Sequence, residues 1–229
     1  MRRLLIILSV MLVLIVLIQP LFDVTPSMNV IKPSVEMEGI DISHHNTIND
    51  WSKINESVDF VIMKATEGGT YKDNTFGKNW VNTKKHKMIR GAYHYFKPNI
   101  SAYEQFLNFK NSVKLSKGDL PPVLDVEEKE IDMNEVNKWL KLVEDHYGVK
   151  PIVYSSLIFF KVFIENKIGH EYKLWLYSNE LFLVKPSFDN YDCVVWQYNQ
   201  KGKVNGIDGI VDLDKMLIDS VQLQSLLKH

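Results

Sequence analysis

The sequence predicts an α/β fold: an irregular TIM-like β/α barrel with about eight strands. Two observations point there. Short apolar runs alternate with longer helical patterns from Glu36 to the C-terminus, and that alternation implies parallel strands covered by helices. About eight such runs fall within one domain, which suits a compact barrel whose helices are shortened or lost toward the C-terminal end. An open doubly wound sheet is the competitor. A third observation weakens its nucleotide-binding versions, because no glycine-rich phosphate loop follows any strand.

Taken in order, the candidate strands are Gly39–Ile42, Phe60–Ala65, Ile89–Phe96, Pro122–Glu127, Ile152–Ser155, Lys173–Tyr177 and Cys193–Tyr198, with a last short one at Ile210–Leu213. Helix signals lie between them. Asp73–Lys87 is a weakly patterned helix. Ser101 and Glu104 have capping-box spacing ahead of the apolar stripe Phe106, Phe109 and Val113. Asp132 and Glu135 resemble an acidic version of that box, ahead of Val136, Trp139, Leu140, Val143 and Tyr147, and Gly148 stands where a C-terminal glycine belongs. Leu157–Ile164 is apolar all round, which leaves its helix assignment open.

The chain has 229 residues, 27 basic and 28 acidic side chains and a formal net charge of -1, so no basic face invites nucleic acid. Its single cysteine, Cys193, forbids an internal disulfide without excluding export. Arg2 and Arg3 precede an apolar run from Leu4 to Ile18, which reads as an export signal. The run is slightly short for a spanning helix of ~20 residues, and extension through Phe22 brings it closer. No convincing small-x-small cleavage site follows. Residues 1–22 are therefore expected to be a signal peptide or, by preference, an uncleaved membrane anchor with the rest of the chain outside. Residues 23–35, with Pro26 and Pro33, read as a linker. Residues 36–229 form the folded domain, expected to be a monomer.

The most informative segment is Pro122-Val123-Leu124-Asp125-Val126-Glu127-Glu128. Strand side chains alternate, so Val123, Asp125 and Glu127 share one face, while Leu124 and Val126 pack on helices. Two neighbouring carboxylates facing a barrel interior are costly to hold. The plainer alternative is a solvated strand end opening an acidic loop. Asp41 in Gly39-Ile40-Asp41-Ile42-Ser43 also projects opposite the apolar face, at the strand end where barrel enzymes gather catalytic groups; a loop-bracing aspartate is the alternative. Asp212, between Val211 and Leu213, is a third such acid. Aromatic residues crowd the same ends: Tyr93, His94 and Tyr95 on one strand, Trp196 and Tyr198 on another, Tyr154 and Trp175 on two more. Aromatic faces stack on sugar rings, although each residue alone is equally a core residue. Lys64 and Glu67 follow the second strand and suit either substrate contact or a surface ion pair. His44, His45 and His94 lack metal-ligand spacing, and no metal or other cofactor is expected.

These segments together resemble glycoside hydrolase family 25, the Chalaropsis-type lysozymes. The match runs in order from Glu38 to Asp214 through Gly39-Ile40-Asp41-Ile42-Ser43, Lys64-Ala65-Thr66-Glu67-Gly68, Gly91-Ala92-Tyr93-His94-Tyr95-Phe96, Leu124-Asp125-Val126-Glu127, Pro151-Ile152-Val153-Tyr154-Ser155, Leu174-Trp175, Trp196-Gln197-Tyr198 and Val211-Asp212. The resemblance implies an irregular barrel with fewer than eight helices. It also implies an N-acetylmuramidase that cleaves the β-1,4 bond between N-acetylmuramic acid and N-acetylglucosamine in peptidoglycan strands. By analogy Glu127 is the general acid, Asp125 assists, and Asp41 and Asp212 complete the acidic site. Tyr93, His94, Tyr154, Trp196, Lys64 and Glu67 are the expected substrate contacts. His44-His45-Asn46 departs from the family, which often carries glutamine there. A barrel that binds glycan without cleaving it and a metal-dependent hydrolase are the competing readings. The first would be expected to lack one of the four acids.

Overall fold

The structure is a computed structural model, described for residues 37–179, 188 and 190–229. All of them lie in the unit spanning Val35–His229. The expectations for the N-terminal apolar run and linker fall outside the described residues.

The strands are β1 (Glu38–Ile42), β2 (Thr47–Ile48), β3 (Phe60–Glu67), β4 (Tyr71–Lys72), β5 (Ile89–Tyr95), β6 (Val123–Asp125), β7 (Ile152–Ser156), β8 (Lys173–Tyr177), β9 (Cys193–Gly202), β10 (Ile207–Asp208) and β11 (Val211–Met216). The helices are α1 (Trp51–Ile54), α2 (Phe76–Lys85), α3 (Ala102–Ser112), α4 (Met133–Tyr147), α5 (Leu157–Phe159), which runs on as a π-helical turn over Phe160–Ile164, and α6 (Ser220–Leu226). Eight strands close into a barrel in the order β1-β11-β9-β8-β7-β6-β5-β3, with β1 pairing back onto β3. Two-residue β4 extends the sheet beyond β3, and β2 and β10 form a separate ribbon. Six helices accompany the barrel among the described residues, so it is an irregular β/α barrel with fewer than eight helices.

One expectation is corrected. The strands are not all parallel, because β11 runs antiparallel to both neighbours, β1 and β9. The reason is chain length. A parallel crossover needs about a dozen residues or more. Only residues 203–210 separate β9 from β11, and they are spent on the β10 ribbon.

Side-chain alternation builds two cores. The outer one joins Ile40, Val61, Met63, Leu124 and Val153 of the strands to Phe109, Val136, Trp139 and Val143 of α3 and α4. The inner one stacks Phe60, Ile62, Val123, Ile152, Trp175 and Val195 inside the barrel. The Phe60 ring lies across Gly39, where a Cβ would sit 2.2 Å from the ring, so only glycine fits on β1 there. Leu223 and Leu227, in and just after α6, join the inner core. Backbone hydrogen bonds tie Lys228 to Gly118 and Asp119, ahead of β6. The C-terminal helix thus closes the barrel at the N-terminal ends of its parallel strands and leaves the other end open.

Local signals set the long helices. The Ser101–Glu104 box closes at the start of α3. Asp132 caps α4 by accepting from the Asn134 amide, but Glu135 does not complete a box. It reaches across and accepts from the backbone N–H of Ala102 at 2.5 Å, bracing the first turn of α3. Gly148 ends α4 with φ +67°, a left-handed conformation that costs glycine nothing.

Candidate active site

The open end of the barrel is a cleft at the C-terminal ends of the parallel strands. It is lined by residues that the alternation of side chains turns inward. Asp41 comes from β1, Tyr93 and Tyr95 from β5, Asp125 from β6 with Glu127 two residues beyond, Tyr154 from β7, Trp175 from β8 and Gln197 from β9. The antiparallel course of β11 brings its first residues to the same end. Asp212 is the direct cross-strand partner of Asp41, and both line the cleft. Lys64 also faces in. An irregularity in pairing between Lys64 and Thr66 lets Thr66 turn out again.

Of the residues expected from sequence, the fold gathers Asp41, Asp125, Glu127, Asp212, Tyr93, Tyr154 and Lys64 around the cleft. Glu67 stands beside it, accepting from Lys64 Nζ at 2.6 Å. Lys97 lies 3.7 Å from Glu67 and bonds Glu128 at 2.8 Å. The Tyr95 ring sits beneath both ammonium groups, 5.1 Å from Lys64 and 5.3 Å from Lys97. This alternating chain of charges frames one wall.

Two expected contacts are corrected. His94 and Trp196 point to the outer face, away from the cleft. His94 is fully buried between Thr66 (2.7 Å) and Gln105 (3.1 Å) and stacks on Trp139. Burial lowers its pKa to about 4, so it is neutral. Trp196 packs in the outer core and donates its indole N–H to the Ser178 carbonyl at 2.9 Å. In both cases the neighbour one residue away is the inward one, Tyr93 or Gln197. The alternation rule that turned Asp125 and Glu127 inward also excludes His94 beside Tyr93.

Trp175 is one of the strand-end aromatic residues the sequence points to, whereas Gln197 and Asp214 carry no such expectation. Gln197 was detectable as a polar residue in phase with the inward face of an apolar strand. It is 2% exposed. Its Nε2 donates to Asp41 at 2.5 Å and to Asp212 at 3.3 Å, and its Oε1 accepts from the Tyr154 hydroxyl at 2.7 Å. Asp214 is completely buried beneath the cleft and accepts from the Trp175 indole N–H at 2.8 Å.

The acids interact strongly. Asp125 is 6% exposed, and its Oδ1 has no hydrogen-bond partner. Burial and then the charges of Glu127 and Asp41 hold its carboxyl well above the usual range, against the opposing pull of Lys64. Asp41 is raised well above its ordinary value by burial and by Asp212, although the Gln197 bond works the other way. Burial pushes Asp212 up to about 6. Glu127 keeps open surface toward solvent, yet partial desolvation, Asp212 and Glu128 raise it too. Asp214 is raised by burial first and by Asp41 next. The cleft therefore holds protons on carboxyl groups at pH values where isolated ones are ionised, as general acid chemistry requires.

Comparison with known proteins agrees with this geometry. The sequence profile of glycosyl hydrolases family 25 matches residues 40–207. The chain is 36% identical over 197 residues to the uncharacterized protein YegX of Escherichia coli K12, spanning 80% of this chain and 71% of that one. It is 33% identical over 187 residues to the autolytic lysozyme of Clostridium acetobutylicum, covering 78% of this chain and 55% of that protein. Among solved structures, a family 25 glycosyl hydrolase from Bacillus anthracis superposes with a TM-score of 0.74 at 29% identity, over 82% of this chain and 92% of that one. With the acid-lined cleft at the open end of an irregular β/α barrel, these matches make the chain a member of glycosyl hydrolases family 25, a glycosidase.

Proposed function

We propose that this protein is a lysozyme, an N-acetylmuramidase that hydrolyses the β-1,4 bond between N-acetylmuramic acid and N-acetylglucosamine in peptidoglycan. The observation that carries the reading is the convergence of Asp41, Asp125, Glu127 and Asp212 in one cleft, where Asp125 has a buried oxygen without a partner. The likeness to the autolytic lysozyme of Clostridium acetobutylicum supports the substrate class.

In this reading Glu127 is the general acid. It is the member of the group that combines a raised pKa with open access to solvent, so it can deliver a proton to the leaving oxygen and recover one from water. As that C–O bond breaks, the carbonyl oxygen of the substrate's own N-acetyl group attacks the anomeric carbon from the opposite face. The unpartnered Oδ1 of Asp125 accepts the N-acetyl N–H and stabilises the positive charge that develops there. Water, deprotonated by Glu127, then opens the cyclic intermediate, and the anomeric configuration is retained. Asp41 and Asp212 keep the cleft negative, which favours an oxocarbenium-like centre. Tyr93, Tyr154 and Trp175 offer aromatic walls to the sugar, and Lys64 and Glu67 offer polar groups at its edge.

Residues 1–22 serve, in the same proposal, as a signal peptide or an uncleaved anchor, with residues 23–35 as a linker. They place the catalytic unit, residues 36–229, outside the cytoplasmic membrane against the wall. The basic pair Arg2 and Arg3 ahead of the apolar run supports this.

The test is digestion of purified peptidoglycan by the full chain, with mass spectrometry of the new reducing ends and NMR of their anomeric configuration. Muramic acid at the new reducing end with retained configuration is expected. Glucosamine at that end would sink the muramidase reading, and inversion would exclude the N-acetyl route.

A further inference from the structure

We infer that Gln197 is a positioning residue for the acid cluster: its amide, anchored by Tyr154, holds Asp41 and Asp212 together and so sets the charge that faces Glu127. The inference rests on Glu127 as proton donor, and it adds a residue to which that reading gives no role.

The geometry is closed on every side. Asp41 and Asp212 are cross-strand partners on β1 and β11 with both side chains toward the cleft. Like-charged residues directly opposite each other repel. Gln197, on the next strand β9, places one NH2 group against both, at 2.5 and 3.3 Å. Its oxygen is held by the Tyr154 hydroxyl at 2.7 Å and approached by Gln200 Nε2 at 3.5 Å. Reversing the amide would set its oxygen against two carboxyl groups, so the Tyr154 bond fixes the polarity of the clamp. The donor is a neutral amide. It can join two carboxyl groups without cancelling their charge, which a lysine or arginine in its place would do.

That charge acts on Glu127. After partial burial, Asp212 is the largest opponent of its ionisation, with Glu128 next. The other titratable groups around the cluster are Asp125 on β6, Asp214 on β11, Tyr93 and Tyr95 on β5, Lys64 on β3 and His45 after β1. The bond from Gln197 favours the ionised form of Asp41. Removing it makes the Asp41–Asp212 pair keep its last proton to higher pH. Less negative charge then faces Glu127, which releases its own proton at lower pH. The alkaline limb of the rate profile, which reports that release, moves in the acid direction.

The experiment compares the wild-type full chain with Gln197→Met, an uncharged near-isostere, in detergent. Carboxyl carbon-13 NMR follows the titration of Asp41, Asp212 and Glu127 without substrate. The pH profile of kcat/KM on purified peptidoglycan follows catalysis. The expected result is a higher midpoint for the Asp41–Asp212 pair, a lower one for Glu127 and an acid-shifted alkaline limb. At neutral pH kcat should fall about ten- to a hundredfold, the scale of one hydrogen bond to a charged group, with KM little changed. Tyr154→Phe leaves Gln197 in place but frees its amide, and should shift the same midpoints in the same directions by less. It carries the test if Gln197→Met does not fold. Unchanged midpoints in the folded variants overturn the inference. A wild-type chain that leaves peptidoglycan intact would instead overturn the lysozyme reading, and the substrate-free titrations would still decide the role of Gln197.

Discussion

Glu127 and Asp125 lie two residues apart at one strand end, yet their surroundings differ. Asp125 is enclosed, and Glu127 meets solvent. For a proton donor, exchange with solvent matters as much as a raised pKa, and Glu127 has both. Glu127→Gln keeps the shape and removes the transferable proton. It is expected to lower kcat by ~100-fold or more on peptidoglycan, measured by release of reducing ends; near-normal cleavage would remove Glu127 from the role. Asp125→Asn gives a second, thermodynamic readout. A carboxyl whose folded pKa exceeds its unfolded one binds more protons when folded, so its contribution to stability falls as pH rises from the unfolded value toward the folded one. Asp125, Asp41 and Asp214 share that sign, and for Asp212 the window runs from the ordinary 3.8 to about 6. Asp125→Asn is therefore expected to inactivate the enzyme while raising its Tm at neutral pH, by ~2–4 °C for each kcal/mol relieved. Thermal melts across pH should show this gain shrinking as pH falls through the ordinary carboxyl value of 3.8, below which the side chain is neutral in both states.

At the scale of elements, the barrel depends on ties between helices and strand ends. Arg90 on β5 is 5% exposed. Its guanidinium makes two bonds to Asp119, at 2.8 and 3.0 Å, and one to the Trp80 carbonyl at 2.7 Å, and it lies 3.9 Å from the centre of the Trp80 ring. The pair joins α2, β5 and the turn before β6. Asp119→Ala leaves a buried guanidinium without its partner and is expected to cost ~3–5 kcal/mol, read from urea denaturation. Arg90→Lys should not restore what is lost, because an ammonium cannot make the forked contact or lie flat on an indole. Most of these elements were legible in the sequence. The Ser101–Glu104 box and the Gly148 terminus are local signals, and the structure bears them out. The ties between elements, such as Glu135 to Ala102, were not legible, because they join residues far apart in the chain.

Across the whole molecule, closure is the decisive property. The inner core is sealed by Leu223 and Leu227, while the opposite end stays open as the cleft. Leu223→Ala, in a helix remote from the acids, is expected to cost ~2–5 kcal/mol in urea denaturation. Its kcat at temperatures below unfolding should be close to that of the wild type. A loss of kcat without loss of stability would show that α6 does more than seal the barrel.

The amino-acid sequence by itself determined the β/α barrel, most of its strands and its long helices, because these follow from periodicity and local turn and cap chemistry. It placed Asp125 and Glu127 on one face for the same reason. The tertiary structure decided the rest. The antiparallel β11, forced by a connection too short for a crossover, sets Asp212 opposite Asp41. Packing against α3 and α4 claims His94 for the core, and the outer core claims Trp196. The bond that joins Gln197 to Asp41 spans 156 positions of sequence. Local pattern specifies which way a side chain points from its own strand, but only closure of the barrel specifies what it meets there.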